Sequence, residues 1–313
     1  MRIALMIEGQ EGVTWEQWVA LARACEGHGI GSLFRSDHYS GLMGDESRDA
    51  TDAWATISAL SAVTSTVRLG TLVSPVTFRH PSVLAKMVAT ADRISGGRVE
   101  LGLGAGWNER EHQAHGFEFP EVGTRFEMLE EQAEIIRLQL TEEVVSFSGE
   151  YYQLEEVRPL PRPVQDPLPL ILGGQAGPRA ASIAARFADE YNSIGAGPAE
   201  LPERLARLDA ACEDVGRDPA TLRRSVMTVG IVGRTEDEVH ARVRALMDKA
   251  GADGDPAAFL QERTARWVAG TVEQVRERLG QLAELGIDRV MLQHLVHEDL
   301  ETVALIGEEL VSD

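Results

Sequence analysis

Cysteine and lysine are both scarce in this chain of 313 residues: the cysteines are Cys25 and Cys212, the lysines Lys86 and Lys249. Neither cysteine has a CxxC or Cys/His partner nearby, which argues against a zinc ribbon, a redox dithiol or a disulfide-stapled secreted module. No Lys/Arg-rich run occurs, and 50 acidic against 30 basic residues leave a formal net charge of −20. Such a field repels phosphate backbones and anionic bilayers, so neither nucleic acid nor membrane is an expected partner. No apolar run approaches the ~18 to 20 residues that span a bilayer. The first residues, Met1 to Gly9, turn polar too soon for a signal-peptide core, so a cytoplasmic protein is expected.

What the chain has instead is a regular alternation. Short runs rich in Val, Ile and Leu, at residues 2–7, 30–35, 67–73, 98–103, 168–172, 189–194, 224–232 and 288–292, read as strands. Between them apolar residues fall at helical spacing over 14–28, 52–64, 81–94, 125–140, 178–187, 199–215, 236–249 and 299–311, with an extra helix near 271–285. Thr14 with Gln17 has the pattern of a capping box, and Gly29 stops the same helix. Several strands are apolar on both faces, as parallel strands between a packed interior and covering helices require. Eight such units in this length fit an α/β fold, a TIM (β/α)8 barrel with insertions; an open doubly wound sheet is the alternative. The insertions are expected at 144–155, a hairpin turning at Gly149-Glu150, and at 251–267. No repeat or low-complexity linker divides the chain, so residues 1–313 are expected to form one domain.

In a barrel, chemistry collects where strands end. The second strand ends in Asp37-His38, a pair that can hold an imidazole near a substrate or simply cap the next turn. The third breaks its apolar pattern before Pro75, as a bulge beside a ligand or an X-Pro turn would. The fourth runs into Gly102-Leu-Gly-Ala-Gly106, where alternate glycines let a planar ring approach the backbone. The fifth ends Gly173-Gly-Gln175 and leads into a helix near Arg179, which suits a phosphate or a plain turn. His112 with His115, and His294 with His297, have metal-ligand spacing but lack a third ligand, so no metal is expected. Glu8 and His294 lie in range of the mouth as substrate contacts.

These residues carry a family resemblance over nearly the whole chain. Phe34-Arg-Ser-Asp-His-Tyr39, Thr51-Asp-Ala-Trp54, Val67-Arg-Leu-Gly-Thr-Leu-Val73, Ser95 through Glu109, Arg125-Phe with Leu129-Glu-Glu, Phe147-Ser-Gly-Glu-Tyr-Tyr152 and Ile171-Leu-Gly-Gly174 resemble the luciferase-like monooxygenase superfamily, most closely its actinobacterial coenzyme F420-dependent oxidoreductase branch.

The resemblance implies a barrel, usually a homodimer, with a cofactor ring across its mouth. It implies hydride transfer between F420 and a small organic substrate, with Asp37 at the deazaflavin ring and His38 as acid or base. The Leu72-Val73 bond aligns with a non-prolyl cis peptide behind the ring. Gly106 and Asn108 are expected along the ring or ribityl chain, and Gly173, Gly174 and Gln175 at the phosphate. Trp107 stands where sugar-phosphate dehydrogenases of the family carry a proton-donating glutamate, and joins Glu8 and His294 as an expected substrate contact. The anionic tail of that cofactor is expected either to project into solvent or to be offset by local arginines such as Arg79 and Arg179. The alternatives are an FMN-dependent monooxygenase served by a separate flavin reductase, and a non-catalytic cofactor-binding protein.

Overall fold

The computed structural model describes residues 1–43 and 47–311. Strand β1 (Arg2–Ile7) leads to α1 (Trp15–Gly27), β2 (Ser32–Arg35) to α2 (Ala53–Val63), and a broken third strand, β3 (Arg68–Thr71) with β4 (Ser74–Pro75), to α3 (Pro81–Ser95). Next come β5 (Val99–Gly104), helices α4 (Glu109–His115) and α5 (Val122–Thr141), and the hairpin β6 (Val145–Ser148) with β7 (Gln153–Val157). The chain continues through β8 (Leu170–Gly174), α6 (Pro178–Phe187), β9 (Glu190–Ile194), α7 (Leu201–Asp214), β10 (Arg223–Gly233), α8 (Glu236–Ala250) and α9 (Pro256–Gln261). It ends with β11 (Val268–Thr271), α10 (Val272–Glu284), β12 (Arg289–Gln293) and α11 (Leu300–Leu310).

The strands β1, β2, β3, β5, β8, β9, β10 and β12 pair in parallel in that order, and β12 pairs back onto β1, with Leu5 opposite Leu33 on one side and Leu292 on the other. This is a closed eight-stranded TIM barrel. The open sheet is excluded. Side chains alternate across each strand, so Ala4, Met6, Phe34, Leu72, Ile171 and Met291 fill the barrel, while Leu5, Leu33, Leu101 and Leu292 pack outward under the helices. That double burial is why the strands read as continuous apolar runs.

Local chemistry sets the element ends. Thr14 and Gln17 form the expected capping box on α1, and Thr271 and Gln274 form a second one on α10. The hairpin turns at Gly149 and Glu150, whose geometry is held by Glu131 accepting from the backbone N–H of Glu150, Tyr151 and Tyr152. One sequence expectation needs correction. The third strand does not run unbroken over 67–73: it stops at Thr71, passes a cis Leu72–Val73 bond and resumes as β4 against β5. The stretch 251–267 holds α9 and leads into β11, which extends the sheet beside the outer half of β10.

The lower end of the barrel, where strands begin, is closed by charge. Arg289 donates to Glu190 at 2.7 Å and to Glu100 at 2.8 Å, and Arg68 reaches the other Glu100 oxygen at 2.5 Å. Both acids and Arg289 are buried. Burial opposes the Glu100 charge, but the two guanidinium groups outweigh it and hold its carboxyl down to about 2. The upper end is left open for a ligand.

Candidate functional site

A cavity of about 440 Å³ opens at the upper end, between the ends of β1, β2, β5, β9 and β12. Alternation decides which side chains enter it. The inward positions continue upward from Ala4 and Met6 to Glu8, from Phe34 to Ser36 and His38, and from Met291 to Gln293. Leu72, Val73, Pro75, Ile194, Met227 and Leu295 make the remaining wall largely apolar, and Trp107, 66% exposed, stands at its rim.

His38 is the histidine on this wall that is paired with a carboxylate. Its Nδ1 lies 2.8 Å from Oε2 of Glu111, whose other oxygen accepts the backbone N–H of Tyr39 at 2.5 Å and of Ser40 at 3.2 Å. A carboxylate accepts, so Nδ1 carries hydrogen and Nε2 is left for a ligand. Burial lowers the basicity of His38, but the hydrogen bond and charge of Glu111 overcome it and raise its pKa above the ordinary value. Glu111 shifts the opposite way: burial favours its neutral form, and His38 with the two backbone donors reverses that. Glu111 was not among the residues read from the sequence. Its signal was present, since Asn108 caps α4 by accepting the Glu111 N–H, the Asn-x-x-Glu spacing of a helix start.

Asp37 is a correction. It was expected at the deazaflavin ring, but the alternation that turns His38 inward turns Asp37 the other way. Its carboxylate is 2% exposed and absent from the cavity wall. Arg79 holds it through both oxygens, at 2.6 and 3.1 Å, Ser74 donates to it at 2.7 Å, and Trp54 in turn donates to Ser74. Arg79 also reaches Asp52, the N-cap of α2. Asp37 therefore fixes the β2 turn from behind, and Arg79 is not free for a cofactor tail. Arg179 is largely exposed and donates to the carbonyl of Gly123.

His294 is a second correction. It was expected at the mouth as a substrate contact, yet it is 4% exposed and points outward, its Nε2 bonding the carbonyl of Asp299 at 3.0 Å. Burial drives its pKa down to about 4. Gln293 takes the inward place beside Glu8. The other histidine pair is also committed: His112 bonds the Asn108 carbonyl and Thr77, and His115 bonds Ser40. Among the described residues no group of three or more His, Cys, Asp or Glu side chains is arranged to hold a metal ion.

The glycines of β5 serve a different purpose from that expected. A Cβ on Gly104 would lie 2.5 Å from Cγ2 of Val73, one on Gly173 3.0 Å from its Cγ1, and one on Gly102 3.2 Å from the same atom. Val73 occupies the space a side chain would need at Gly104 and at Gly173 of β8, whereas at Gly102 the backbone carbonyl of Thr71 is the first obstruction. Gly106, at φ +79°, lines the cavity with Trp107 and Asn108. Beyond Val73 a second cleft of about 280 Å³ is lined by Gly173, Gly174, Gln175 and Gly177, with Phe126 and Tyr191 on its sides. Gly177 caps α6 without a side chain, so no capping group occupies the helix's first backbone donors.

This arrangement matches known proteins over its whole length. The family model described as luciferase-like monooxygenase matches residues 2–289. An F420-dependent glucose-6-phosphate dehydrogenase of Nakamurella multipartita is 30% identical over 93% of this chain and 90% of its own length. Pyrimidine monooxygenase RutA of Stutzerimonas stutzeri is 30% identical over 80% of this chain and 70% of its own. Among solved structures, an F420-dependent secondary alcohol dehydrogenase in complex with an F420-acetone adduct superposes with a TM-score of 0.83 at 21% identity, covering 100% of this chain and 99% of that one. By the family model and the full-length relative together, the chain belongs to the luciferase-like monooxygenase family.

Proposed function

We propose that this protein is an oxidoreductase that transfers a hydride between the deazaflavin coenzyme F420 and a small organic substrate, with His38 exchanging the accompanying proton. The observation that carries the reading is the His38–Glu111 pair on the wall of a largely apolar cavity; a separate glycine-lined cleft lies at the start of α6. Support for F420 comes from the full-length relative, which is named for that cofactor.

The residues fit such a group. Leu72, Val73, Pro75 and Gly106 offer an apolar wall for a ring, with Asn108 beside it, and Gly173, Gly174, Gln175 and the α6 backbone donors suit a phosphate. When bound, a deazaflavin supplies a ring carbon that gives or takes hydride and reacts poorly with oxygen. The protein's own contribution is orientation and proton management. Glu111 fixes the imidazole and its tautomer, Nε2 takes or returns the substrate's proton, and the apolar wall with Trp107 limits water. Homodimerisation and a cytoplasmic location are further expectations of this reading; no helix among the described residues is long and apolar enough to cross a membrane.

The similarity to RutA favours a second reading, an FMN-dependent monooxygenase that works with a separate flavin reductase. The glycine cleft serves either phosphate. Fluorescence titration of the apo protein with F420 and with FMN, at low and high salt, separates them: micromolar or tighter binding of F420 alone supports hydride transfer, whereas preference for FMN together with oxygen consumption overturns it.

A further inference from the structure

The charges on the cavity wall bear on what enters it. Among the described residues no lysine or arginine lines the cavity. Lys86 donates to the carbonyl of Leu160, and Lys249 is engaged by His297 and Glu298. Arg35, close behind Glu8, spends its guanidinium on Ser36, Thr51, Asp52 and Thr56.

The acids on the wall are Glu111 and Glu8, and they are not equivalent. Glu111 is satisfied by His38 and two backbone donors. Glu8 has amide donors instead: Gln10 at 2.8 Å on Oε2 and Gln293 on Oε1. A carboxylate offers about four acceptor positions, so these two amides orient Glu8 and leave acceptor capacity facing an otherwise apolar space.

We infer that Glu8 is a specificity-determining residue: it selects an apolar substrate that presents a hydrogen-bond donor, hydroxyl or ammonium, and rejects one that presents phosphate or carboxylate. An anion brought to this wall meets the carboxylates of Glu8 and Glu111, and the groups whose positive charge could offset them are already engaged, His38 by Glu111 and Arg35 by its own oxygen acceptors. A donor group completes the Glu8 shell, while Met6, Met227 and Leu295 take up the apolar remainder. This separates the chain from its sugar-phosphate relative on the basis of its own wall. The inference rests on the reading above that this cavity is the substrate's.

The test uses three isosteric probes, cyclohexylmethanol, cyclohexylmethylamine and cyclohexanecarboxylate, together with glucose 6-phosphate. Binding is measured by calorimetry and ligand-observed NMR to the full chain, with and without F420. The expected result is that the alcohol and the amine bind at least tenfold more tightly than the carboxylate, and that glucose 6-phosphate does not bind. In Glu8→Gln the amine loses that advantage and the carboxylate gains; Glu8→Asp retains the order. Equal binding of the carboxylate by the unaltered protein overturns the inference without any variant having to fold, and so does failure of every probe to bind. A preference for donors in a protein that does not bind F420 supports the Glu8 assignment while rejecting the cofactor. F420 binding with equal affinity for anions does the reverse.

Discussion

Nδ1 of His38 and Oε2 of Glu111 lie 2.8 Å apart on the wall of an apolar cavity, and each shifts the other toward its charged form. In the proposed reaction, His38→Ala is expected to lower turnover by about a hundredfold or more while leaving cofactor affinity largely intact. Glu111→Gln tests the positioning role. Because Glu111 holds the His38 pKa above its ordinary value against burial, its loss leaves burial in control and moves the imidazole limb of the kcat–pH profile to lower pH. A limb that stays in place removes Glu111 from the mechanism.

Val73 and the glycines around it give a second prediction. A Cβ on Gly104 meets Cγ2 of Val73 at 2.5 Å, so Gly104→Ala is expected to cost about 1–3 kcal/mol as overpacking and to weaken binding of the proposed cofactor by displacing the cavity floor. Val73→Ala removes the obstructing methyl groups. The double variant should recover part of the loss, with a coupling energy on the order of 1 kcal/mol in urea unfolding. Strict additivity would mean that the glycine is required for another reason.

The barrel was legible because its strands are buried on both faces and its helices carry caps, such as Thr14 with Gln17, that write their ends into the sequence. The site was legible in part. Alternation, followed upward from Met6, Phe34 and Met291, selects Glu8, His38 and Gln293; it assigns Asp37 and His294 to the opposite side, where the structure puts them. Adjacent strand-end residues such as Asp37 and His38 face opposite sides, so they do not act as a pair on one wall. The Arg79 clamp on Asp37 and the Glu111 bond to His38 join residues 42 and 73 positions apart, and no local pattern states such pairings. The GxGxG run marks a close approach, and the approaching groups come from the broken third strand: the Thr71 carbonyl at Gly102, Val73 at Gly104, and Pro75 with Thr77 at Gly106.

The ion cluster at the lower end predicts an acid limb of stability. Glu100 titrates near 2 in the folded chain against an ordinary value of 4.5, so its contribution is complete above pH 4.5 and is lost as pH falls from there toward 2. That difference corresponds to about 3 kcal/mol. Glu100→Gln should therefore be less stable at pH 7 and show a flatter dependence between pH 4.5 and 2 in urea unfolding. Arg289→Met leaves Glu100 and Glu190 buried without their shared cation, and is expected to cost about 3–5 kcal/mol. Unchanged stability in both variants would show that the cluster is hydrated rather than dry.

His294 separates a structural histidine from a substrate contact. Its folded pKa is about 4 because burial disfavours the imidazolium, whereas an unfolded chain titrates near 6.5. The unfolded state thus takes up a proton first, and the sign is opposite to that of a histidine stabilised by a carboxylate. The contribution is complete above pH 6.5 and declines as pH falls from 6.5 to 4, by up to about 1.4 kcal/mol per pH unit. His294→Gln removes that titration, so its melting temperature should fall less steeply than that of the unaltered protein between pH 6.5 and 4.5. Since the side chain points away from the cavity, KM for a substrate should change by less than about twofold, as expected of a site with no contact to the ligand. A large rise in KM at constant stability would return His294 to the mouth of the barrel.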